Sequence, residues 1–441
     1  MPEIAEITES YFADFTRRER RAAWLEPLRE RAMERFGELG FPTTRLEDWR
    51  FTNVAPLTRT PFKMPSPVAD GVTERNLDAA RIEEVAALLV FVDGVFEPGF
   101  SRLRTLPAGV RAASLRDAWD SPGKSLQGHM ARHADTDRNA FVALNTAMFQ
   151  DGALIEIANG VVLEKPVHVL FVRAPNARGT VTHPRVLVVT GRDAQVKVIE
   201  SHVGSAGTAY FTNAVTELVA GENSSVEHLK LQEEGDEAFH IGMIHSHQER
   251  SSRFVSHSVS LGARLARHDI ISVMAGEGAE CTLNGLYQAG GNQHVDHHTR
   301  LDHAMPHCAS REYYRGILDG KSSGVFNGAI IVRKDAQKTD AIQSNKNLLL
   351  SEEATINTKP ELQILADDVR CTHGATVGQL NADALFYLRA RGIGFEAARH
   401  LLTRAFANDV LSRVTHIPAR EQLEAKLLAR LSAGWKPEEV L

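Results

Sequence analysis

The run Cys371-Thr372-His373 places a thiol and an imidazole two residues apart. In a β-strand, Cys371 and His373 would project from one face about 6.5–7 Å apart, because side chains alternate between faces. A soft thiolate and an imidazole aimed at one point suit iron or zinc, yet two ligands make half of a tetrahedral site. We therefore expect a partner to complete it, with Asp367 and Asp368 able to orient the pair. A buried cysteine beside a hydrogen-bonded histidine is an equally good interpretation of the sequence alone.

A histidine-rich stretch lies upstream of this run. Its members are His294, His297, His298, His303, His307 and Cys308. This density of imidazoles suggests a metal site. In an extended strand, however, His297 and His298 point to opposite faces, and Pro306 argues against an unbroken strand that would join His303 and His307. Polar ladders and turn hydrogen bonds are the favoured interpretation, and a metal site is the alternative.

The run Gly316-Ile317-Leu318-Asp319-Gly320-Lys321-Ser322 nearly matches a phosphate-binding loop. Only three residues separate the glycines where the motif requires four, and no helix is predicted to follow. A turn is the favoured interpretation. We expect no nucleotide site in this chain.

The composition is that of an ordinary globular protein. The chain has 441 residues, 43% of them apolar, and a formal charge of 50 − 56 = −6. This excludes wholesale disorder, and the absence of a basic balance argues against nucleic-acid binding. There is no apolar run long enough for a membrane span and no secretory signal, so we expect a cytoplasmic protein.

The chain contains three cysteines, Cys281, Cys308 and Cys371. An odd and sparse set does not form a disulfide framework, and three thiols cannot hold a four-thiolate iron–sulfur cluster. Any metal chemistry must therefore use histidine, oxygen ligands or a partner.

The N-terminal third is predicted to be helical and mixed. Residues 8–40 have apolar side chains at helical spacing, with Pro27 as a kink or a boundary between two helices. Residues 61–76 contain three prolines and indicate a linker. We assign residues 1–150 to this domain.

Within that domain, smaller features are less regular. Trp49 and Phe51 are interpreted as a locally packed aromatic pair. A strand is predicted at 87–92, and helices near 111–119 and 137–149.

From residue 151 the pattern alternates with a period of two, which is typical of short strands. Turn-like units recur near Gly191, Gly221, Gly276, Gly320 and Ser351, separated by 30, 55, 44 and 31 residues. The two long gaps are interpreted as two turns each. Similar units at multiples of a few tens of residues favour stacked coils, so residues 151–377 are predicted to form a parallel β-helix, with a β-sandwich as the alternative.

After residue 378 the period becomes helical again, with a last helix at about 419–433. The segment 378–441 is too short to be stable alone and must dock on something. We expect the N- and C-terminal helical regions to cap the two ends of the β-helix.

Several motifs resemble the SufB/SufD family of iron–sulfur cluster assembly scaffolds. The segments that carry the resemblance are Leu46-Glu47-Asp48-Trp49-Arg50-Phe51-Thr52, Leu144-Asn145-Thr146-Ala147, Val325-Phe326-Asn327-Gly328, Gln337-Lys338-Thr339-Asp340-Ala341, Asn347-Leu348-Leu349-Leu350-Ser351, Lys359-Pro360-Glu361-Leu362, Ala366-Asp367-Asp368-Val369, Cys371-Thr372-His373-Gly374-Ala375-Thr376-Val377-Gly378 and Leu385-Phe386-Tyr387-Leu388-Arg389-Ala390-Arg391-Gly392. The Cys-Thr-His version of the motif resembles the SufD branch of the family rather than the SufB branch.

The resemblance implies a right-handed parallel β-helix flanked by an N-terminal helical or mixed domain and a C-terminal helical domain. It implies a non-catalytic subunit that pairs with SufB through the β-helices and docks the ATPase SufC on its C-terminal helices, for which Leu402 and Phe406 are candidates. A transient iron–sulfur cluster would be shared with SufB, with His373 and Cys371 as site residues and His373 the stronger ligand candidate. Reduced flavin is implied for the assembled complex, without residues to place it. A homodimer of the isolated chain is also allowed.

Two alternatives belong to other classes of protein. One is a stand-alone metal-dependent hydrolase that uses the histidine-rich stretch. The other is a purely structural subunit that holds SufB and the ATPase without contributing ligands.

Overall fold

The computed structural model describes residues 4–20, 22–65, 71–120 and 122–432. Part of the predicted linker (66–70) and the residues after 432 lie outside the described residues. The described helices are α1 (Ile4–Arg17), α2 (Glu26–Leu39), α3 (Ala55–Thr58), α4 (Glu74–Asp78), α5 (Leu115–Ala118), α6 (Lys124–His129), α7 (Ala140–Met148), α8 (Ala382–Ala390), α9 (Phe395–Leu411) and α10 (Ile417–Ser432), with a single 3₁₀ turn at Glu47–Trp49. None of these described helices is long and apolar enough to cross a membrane.

The strands form two long sheets. The earlier strands are β1 (Ala87–Val92), β2 (Val95–Phe96), β3 (Arg102–Leu103), β4 (Val110–Ser114), β5 (Gly152–Ile157), β6 (Val167–Val172), β7 (Val181–Thr182), β8 (Arg185–Thr190), β9 (Gln195–Val203) and β10 (Phe211–Ala220). The later strands are β11 (Ser225–Glu233), β12 (Phe239–Gln248), β13 (Arg253–Ser260), β14 (Leu265–Met274), β15 (Glu280–Ala289), β16 (His294–His303), β17 (Ala309–Leu318), β18 (Ser323–Val332), β19 (Asp340–Leu349), β20 (Thr355–Ile364) and β21 (Arg370–Gly378).

The first sheet runs in the order β2-β1-β6-β9-β11-β13-β15-β17-β19-β21, and the second in the order β20-β18-β16-β14-β12-β10-β8-β5-β4. From β9 onward the chain alternates between the two sheets, and every pairing within a sheet is parallel. This confirms the predicted parallel β-helix and excludes the β-sandwich, whose sheets are antiparallel. Strand β1 matches the predicted strand at 87–92.

Each turn-like unit precedes a strand, as predicted. Only one of the two long gaps between units, however, spans the predicted two coils. Those at Gly191, Gly221 and Gly276 precede strands of the first sheet, whereas those at Gly320 and Ser351 precede strands of the second. The 55-residue gap therefore spans two coils, as predicted. The 44-residue gap spans one and a half coils, because the unit at Gly276 precedes a strand of the first sheet and the unit at Gly320 precedes a strand of the second.

The N-terminal helices form as predicted at residues 8–40, with one correction further along. Pro27 lies in the first turn of α2, where its missing N–H costs no hydrogen bond, and so it separates two helices. The segment 111–119 was predicted to be a helix. Its first part is instead strand β4, which pairs antiparallel with β5, and only the short helix α5 follows.

The helical regions lie on the flanks of the rod rather than on its ends. Helices α2 and α7 pack on the outer face of the second sheet, where they bury residues such as Phe211 and Phe239. Helices α9 and α10 pack on the outer face of the first sheet, over residues such as Leu229 and Leu286. The expectation of two end caps is therefore wrong for the end formed by β20 and β21. In the described residues no helix covers this terminal coil, and most of β21 is exposed.

A buried ionic cluster joins the N-terminal region to the second sheet. The guanidinium of Arg267 lies 3.8 Å from the ring centroid of Trp49 and donates to Asp296 at 2.8 Å. The Thr52 hydroxyl also donates to Asp296, at 2.5 Å. Phe51 remains 47% exposed. The predicted pair of Trp49 with Phe51 is therefore wrong, because Trp49 packs against Arg267 and against the ring of Phe141, at 5.4 Å between centroids.

A second buried pair fixes the motif at residues 144–147. Asn145 and Thr146 both accept hydrogen bonds from Arg185 at 3.0 Å. Arg185 also forms an ion pair of 2.5 Å with Glu217, and both side chains are fully buried. Removing one partner of such a pair would leave an uncompensated buried charge, so this motif acts as an anchor of the fold.

Many histidines are buried in the neutral form. Burial lowers the pKa of His168, His183 and His297 to about 3 and that of His245 and His303 to about 4. A histidine in the unfolded chain titrates near 6.5. Below that pH the unfolded chain binds more protons than the folded one, so the folded state loses stability as the pH falls.

We predict that the free energy of unfolding is smaller at pH 5 than at pH 8, by about 2 kcal/mol for each histidine with such a shift. The raised pKa of the buried carboxyls Asp151, Glu234 and Glu312 acts in the opposite direction, but these groups are outnumbered. Denaturant titrations at the two pH values measure the difference. His303→Leu should reduce this difference in unfolding free energy by about 2 kcal/mol, the contribution of one histidine. Equal stability at both pH values would contradict the prediction.

Candidate functional site

Cys371 and His373 lie on β21, the last strand of the first sheet. Cys371 is the register partner of Ala341, and His373 is the partner of Gln343. Ala341 and Gln343 are buried residues that face the interior of the rod. Cys371 and His373 therefore share the inner face of the strand, as the sequence predicts. Because no further coil covers them in the described chain, Cys371 is only half-buried and His373 is exposed.

The surroundings of Cys371 favour the thiol over the thiolate. Burial against the interior cluster, and then the charge of Asp340, raise the pKa of the Cys371 thiol. Asp368, which was expected to orient the site, forms an ion pair with Lys338 instead. The carboxylate that acts on the thiol is thus on the neighbouring strand rather than just upstream in sequence.

The histidine-rich stretch is divided between the two faces of β16 and a turn. His297 and His303 face the interior, where both are fully buried, and His294 and His298 face outward. His307 is exposed in the turn after the strand, at a positive φ of 60°. The prediction that His297 and His298 point to opposite faces is confirmed.

Three of these histidines contact polar groups on their own strand or on a neighbouring one. His294 contacts Ser323 at 2.7 Å, and His303 contacts Ser310 at 2.9 Å. His298 lies 3.1 Å from Asp296. These contacts agree with the polar-ladder interpretation for His294, His298 and His303, whereas neither ring nitrogen of His297 has a hydrogen-bond partner. No three side chains of this stretch are arranged to hold a metal ion, as the hydrolase hypothesis requires. Across the described ranges as a whole, no group of three or more His, Cys, Asp or Glu side chains is arranged to hold a metal ion.

The near-match to a phosphate-binding loop is a turn, as predicted. Residues 316–318 end strand β17, and β18 begins at Ser323. Gly320 occupies the turn with φ +62°. The segment therefore connects two strands and does not lead into a helix.

The two candidate docking residues on α9 are both half-buried. Phe406 packs against the apolar cluster between α9 and the first sheet, with the guanidinium of Arg315 at 5.9 Å from its ring centroid. Nearby α8 has no buried residue, and its Phe386 and Tyr387 are 73% and 57% exposed. The most exposed apolar surface of the C-terminal helices is thus on α8.

A second histidine cluster was missed by the sequence reasoning. Nδ1 of His129 lies 3.1 Å from Nε2 of His133, and the His133 ring centroid lies 5.1 Å from that of His247 and 6.1 Å from that of His245. His245 and His247 lie on strand β12, and their i, i+2 spacing places them on one face of the strand. Nothing in the sequence, however, indicates that the loop after α6 lies against this strand.

The fold is a parallel β-solenoid that carries a thiol and an imidazole, Cys371 and His373, on its uncovered terminal coil. Residues 172–406 match the family model described as the SufBD core domain of SUF-system iron–sulfur cluster assembly, and residues 9–169 match the SufBD N-terminal region. The chain therefore belongs to the SufBD family of iron–sulfur cluster assembly proteins, which confirms the resemblance seen in the sequence.

Individual relatives cover nearly the whole chain. A SufBD family protein of Synechocystis is 35% identical over 88% of this chain and 86% of its own length. The iron–sulfur cluster assembly protein SufD of Escherichia coli is 29% identical over 92% of this chain and 93% of its own. SufD of Bacillus subtilis is 24% identical over 95% and 96%. These matches extend the similarity across both family regions.

We predict that Cys371 is the thiol that reacts in the folded chain. Cys281 and Cys308 are fully buried, and burial raises the pKa of the Cys281 thiol to about 12. Access and thiolate formation both limit reaction with a disulfide reagent, so one thiol per chain should be labelled, faster as the pH rises. Labelling should be lost in Cys371→Ser and retained in Cys308→Ser. Labelling of two or three thiols before unfolding would contradict the prediction.

Proposed function

We propose that this chain is a cytoplasmic scaffold subunit of a SUF-type complex, that it pairs with SufB through its terminal coil, and that it recruits the ATPase SufC through its C-terminal helices. In this proposal the chain hydrolyses no ATP itself, and the nascent cluster is a cargo that it shares with SufB. The observation that carries the proposal is the position of Cys371 and His373 on the inner face of an uncovered terminal coil.

The strand edges of that coil support pairing with another solenoid. In the described chain β20 pairs only with β18, and β21 only with β19. Each leaves one backbone edge unpaired along nine or ten residues, although Pro360 on β20 has no N–H to donate. Free edges of this length readily accept a further strand. A SufB coil stacked here would continue both sheets, and a second copy of this chain could do so when the partner is absent.

The apolar side chains at the same end support a buried contact. Ile364, Leu365 and Val377 are exposed on or beside the two terminal strands. Charged residues along an edge oppose association. On β20 these are Lys359 and Glu361, which form an ion pair with each other. The Lys338–Asp368 pair lies at the turn and leaves these apolar positions open.

The ligand chemistry requires a second polypeptide. A thiolate and an imidazole fill two of the four positions that iron prefers with such ligands, so SufB would provide the remaining donors. Iron binding requires loss of the Cys371 proton, which burial makes less favourable in the isolated chain. His373, which the resemblance implies to be the stronger ligand, would bind iron through its imidazole. The reduced flavin implied for the complex is not assigned to residues of this chain.

His373→Ala should slow cluster assembly by the reconstituted complex at least about tenfold, because loss of a ligand weakens iron binding at least as much as loss of a supporting contact. His373 forms no part of the buried core, so the melting temperature and the subunit stoichiometry should stay unchanged. Cluster formation is followed by its visible absorbance.

The matched control is His307→Ala, which removes another exposed histidine in a turn two coils away from the terminal coil. It should leave the assembly rate unchanged. If His373→Ala assembles clusters at the normal rate while binding SufB normally, the chain is a purely structural subunit and the ligand assignment is wrong.

The C-terminal helices support docking of the ATPase. Their inner faces are already occupied by the first sheet, which leaves the outer surface of α8 and α9 for a partner. Leu402 and Phe406 remain the proposed docking residues, and the exposed aromatic residues Phe386 and Tyr387 extend the surface. Because Phe406 also packs on the sheet, a substitution there changes two contacts at once.

Leu402→Glu should weaken binding of the ATPase subunit at least about tenfold, since burying an unpaired charge in an interface costs more than the 1.4 kcal/mol that this factor represents. Binding is measured by titration calorimetry, with circular dichroism as a check on helicity. Ala425→Glu introduces the same charge at an exposed position of α10 and should bind normally. Equal affinities of the two variants would place the docking surface elsewhere.

A further inference from the structure

The interior of the rod contains a row of aromatic and histidine side chains that the proposed function does not use. We call His202, His240, His268, His297, Tyr287 and Tyr314 the interior row. All six are at most 1% exposed and lie inside the rod, between the two sheets. A dry solenoid core would be filled by aliphatic side chains, which do occupy the adjacent inner positions.

The members of the interior row are in contact from one coil to the next. The ring centroids of His202 and His240 are 5.0 Å apart, and those of His240 and His268 are also 5.0 Å apart. His268 and His297 are separated by 4.9 Å. His297 then lies 5.1 Å from Tyr287. The row therefore continues without a gap through four coils.

Glycines beside the members of the row make room for their rings. A methyl group added at Gly242 would lie 2.5 Å from Nζ of Lys230 and 2.9 Å from Nε2 of His240. A methyl group at Gly285 would lie 2.0 Å from the ring of Tyr314. The rings of His240 and Tyr314 therefore fit only because the residue beside each of them is a glycine, which has no side chain.

The row also contains polar atoms that no protein group satisfies. Neither ring nitrogen of His297 has a hydrogen-bond partner, and the same is true of Nε2 of His240 and the hydroxyl of Tyr314. Nζ of Lys230 donates no hydrogen bond either, although Oε1 of Glu200 lies 3.9 Å away. Buried polar atoms without partners are costly and are normally satisfied by ordered water. Because such atoms recur in successive coils along the row, we infer that water molecules satisfy them one after another along the rod.

The row has defined inner and outer ends. At the inner end Glu200 accepts a hydrogen bond from Nε2 of His202 at 2.7 Å. At the outer end the hydroxyl of Tyr287 donates to Asn347 at 2.5 Å, and Asn347 donates to Asn345 at 2.5 Å.

Asn345 also accepts from Thr358 at 3.0 Å. Thr358 is half-buried on β20, in the same terminal coil as Cys371 and His373. The row therefore opens at the end of the rod where the proposed site lies.

We propose that the interior row is a hydrated proton path between the buried Glu200–Lys230 pair and the terminal coil. In each step an imidazole accepts a proton on one ring nitrogen and releases the proton of its other nitrogen to the next water or imidazole. The number of protons on each ring is unchanged after the step, and the proton leaves or enters at the terminal coil. The path takes only water and protons as ligands and does not depend on the proposed function.

The test is hydrogen–deuterium exchange at the C2 position of each histidine ring in the full chain, measured by mass spectrometry. His297 and His168 are matched for this purpose, because both are fully buried and burial lowers the pKa of each to about 3. His168 lies outside the row and contacts Ser201 at 3.0 Å. His297 should exchange about tenfold faster than His168 if water reaches it through the interior. Equal rates for the two rings would overturn the proposal.

Two substitutions test the opening at the terminal coil. Asn345→Leu and Thr358→Val should slow exchange at His297 toward the rate of His168, without changing His168. Lys346→Leu is the control on the exposed outer face of the same strand as Asn345 and should change neither rate. Thr358→Val lies in the half-exposed terminal strand and keeps the test valid if Asn345→Leu destabilises the rod. Unchanged exchange at His297 in Thr358→Val would show that the row does not open there.

Discussion

In a stack of parallel coils, the backbone N–H and C=O groups of each coil form hydrogen bonds with the following coil. The last coil has no following coil and keeps one unpaired edge. This constraint accounts for the main asymmetry of the molecule. The first coils are extended by β1 to β4 of the N-terminal region, which join both sheets. The final coil, β20 and β21, has one free edge on each strand, and in the described chain no helix covers it. Both helical regions lie on the flanks, so the end remains available for a partner.

The flanking helices stabilise the rod by covering its outer faces. Strands in the middle of the rod, such as β10, are buried on both faces, as in parallel sheets with helices on either side. The N-terminal region is further fixed by Arg267, which contacts Trp49 and Asp296. Burial alone would raise the pKa of Asp296. The charges of His298 and Arg267 nevertheless hold this pKa well below its usual value. The ionic cluster thus stays charged inside the fold, where it joins two regions that are distant in sequence.

The sequence predicted the coils well because inner and outer positions alternate strictly along each strand. It predicted the face that Cys371 and His373 share for the same reason. It did not predict which surfaces the helices cover, since an amphipathic pattern shows that a face is buried but not against what. Trp49 illustrates this limit, because it packs against Arg267 of a distant coil and Phe141 of α7 rather than against Phe51. The interior row was missed because its members come from different strands and meet only through the stacking of coils.

The geometry of a solenoid restricts where an inner-facing pair can bind a partner. In every earlier coil an inner-facing side chain is covered by the next coil, as the buried Ala341 and Gln343 are covered by β21. Their register partners Cys371 and His373 are in equivalent positions but have no coil above them. The same residues placed one coil earlier would be sealed inside the rod, like Cys281, whose pKa burial raises to about 12. Position in the stack, rather than residue type, therefore decides whether an inner-facing thiol is inert or available to a second polypeptide.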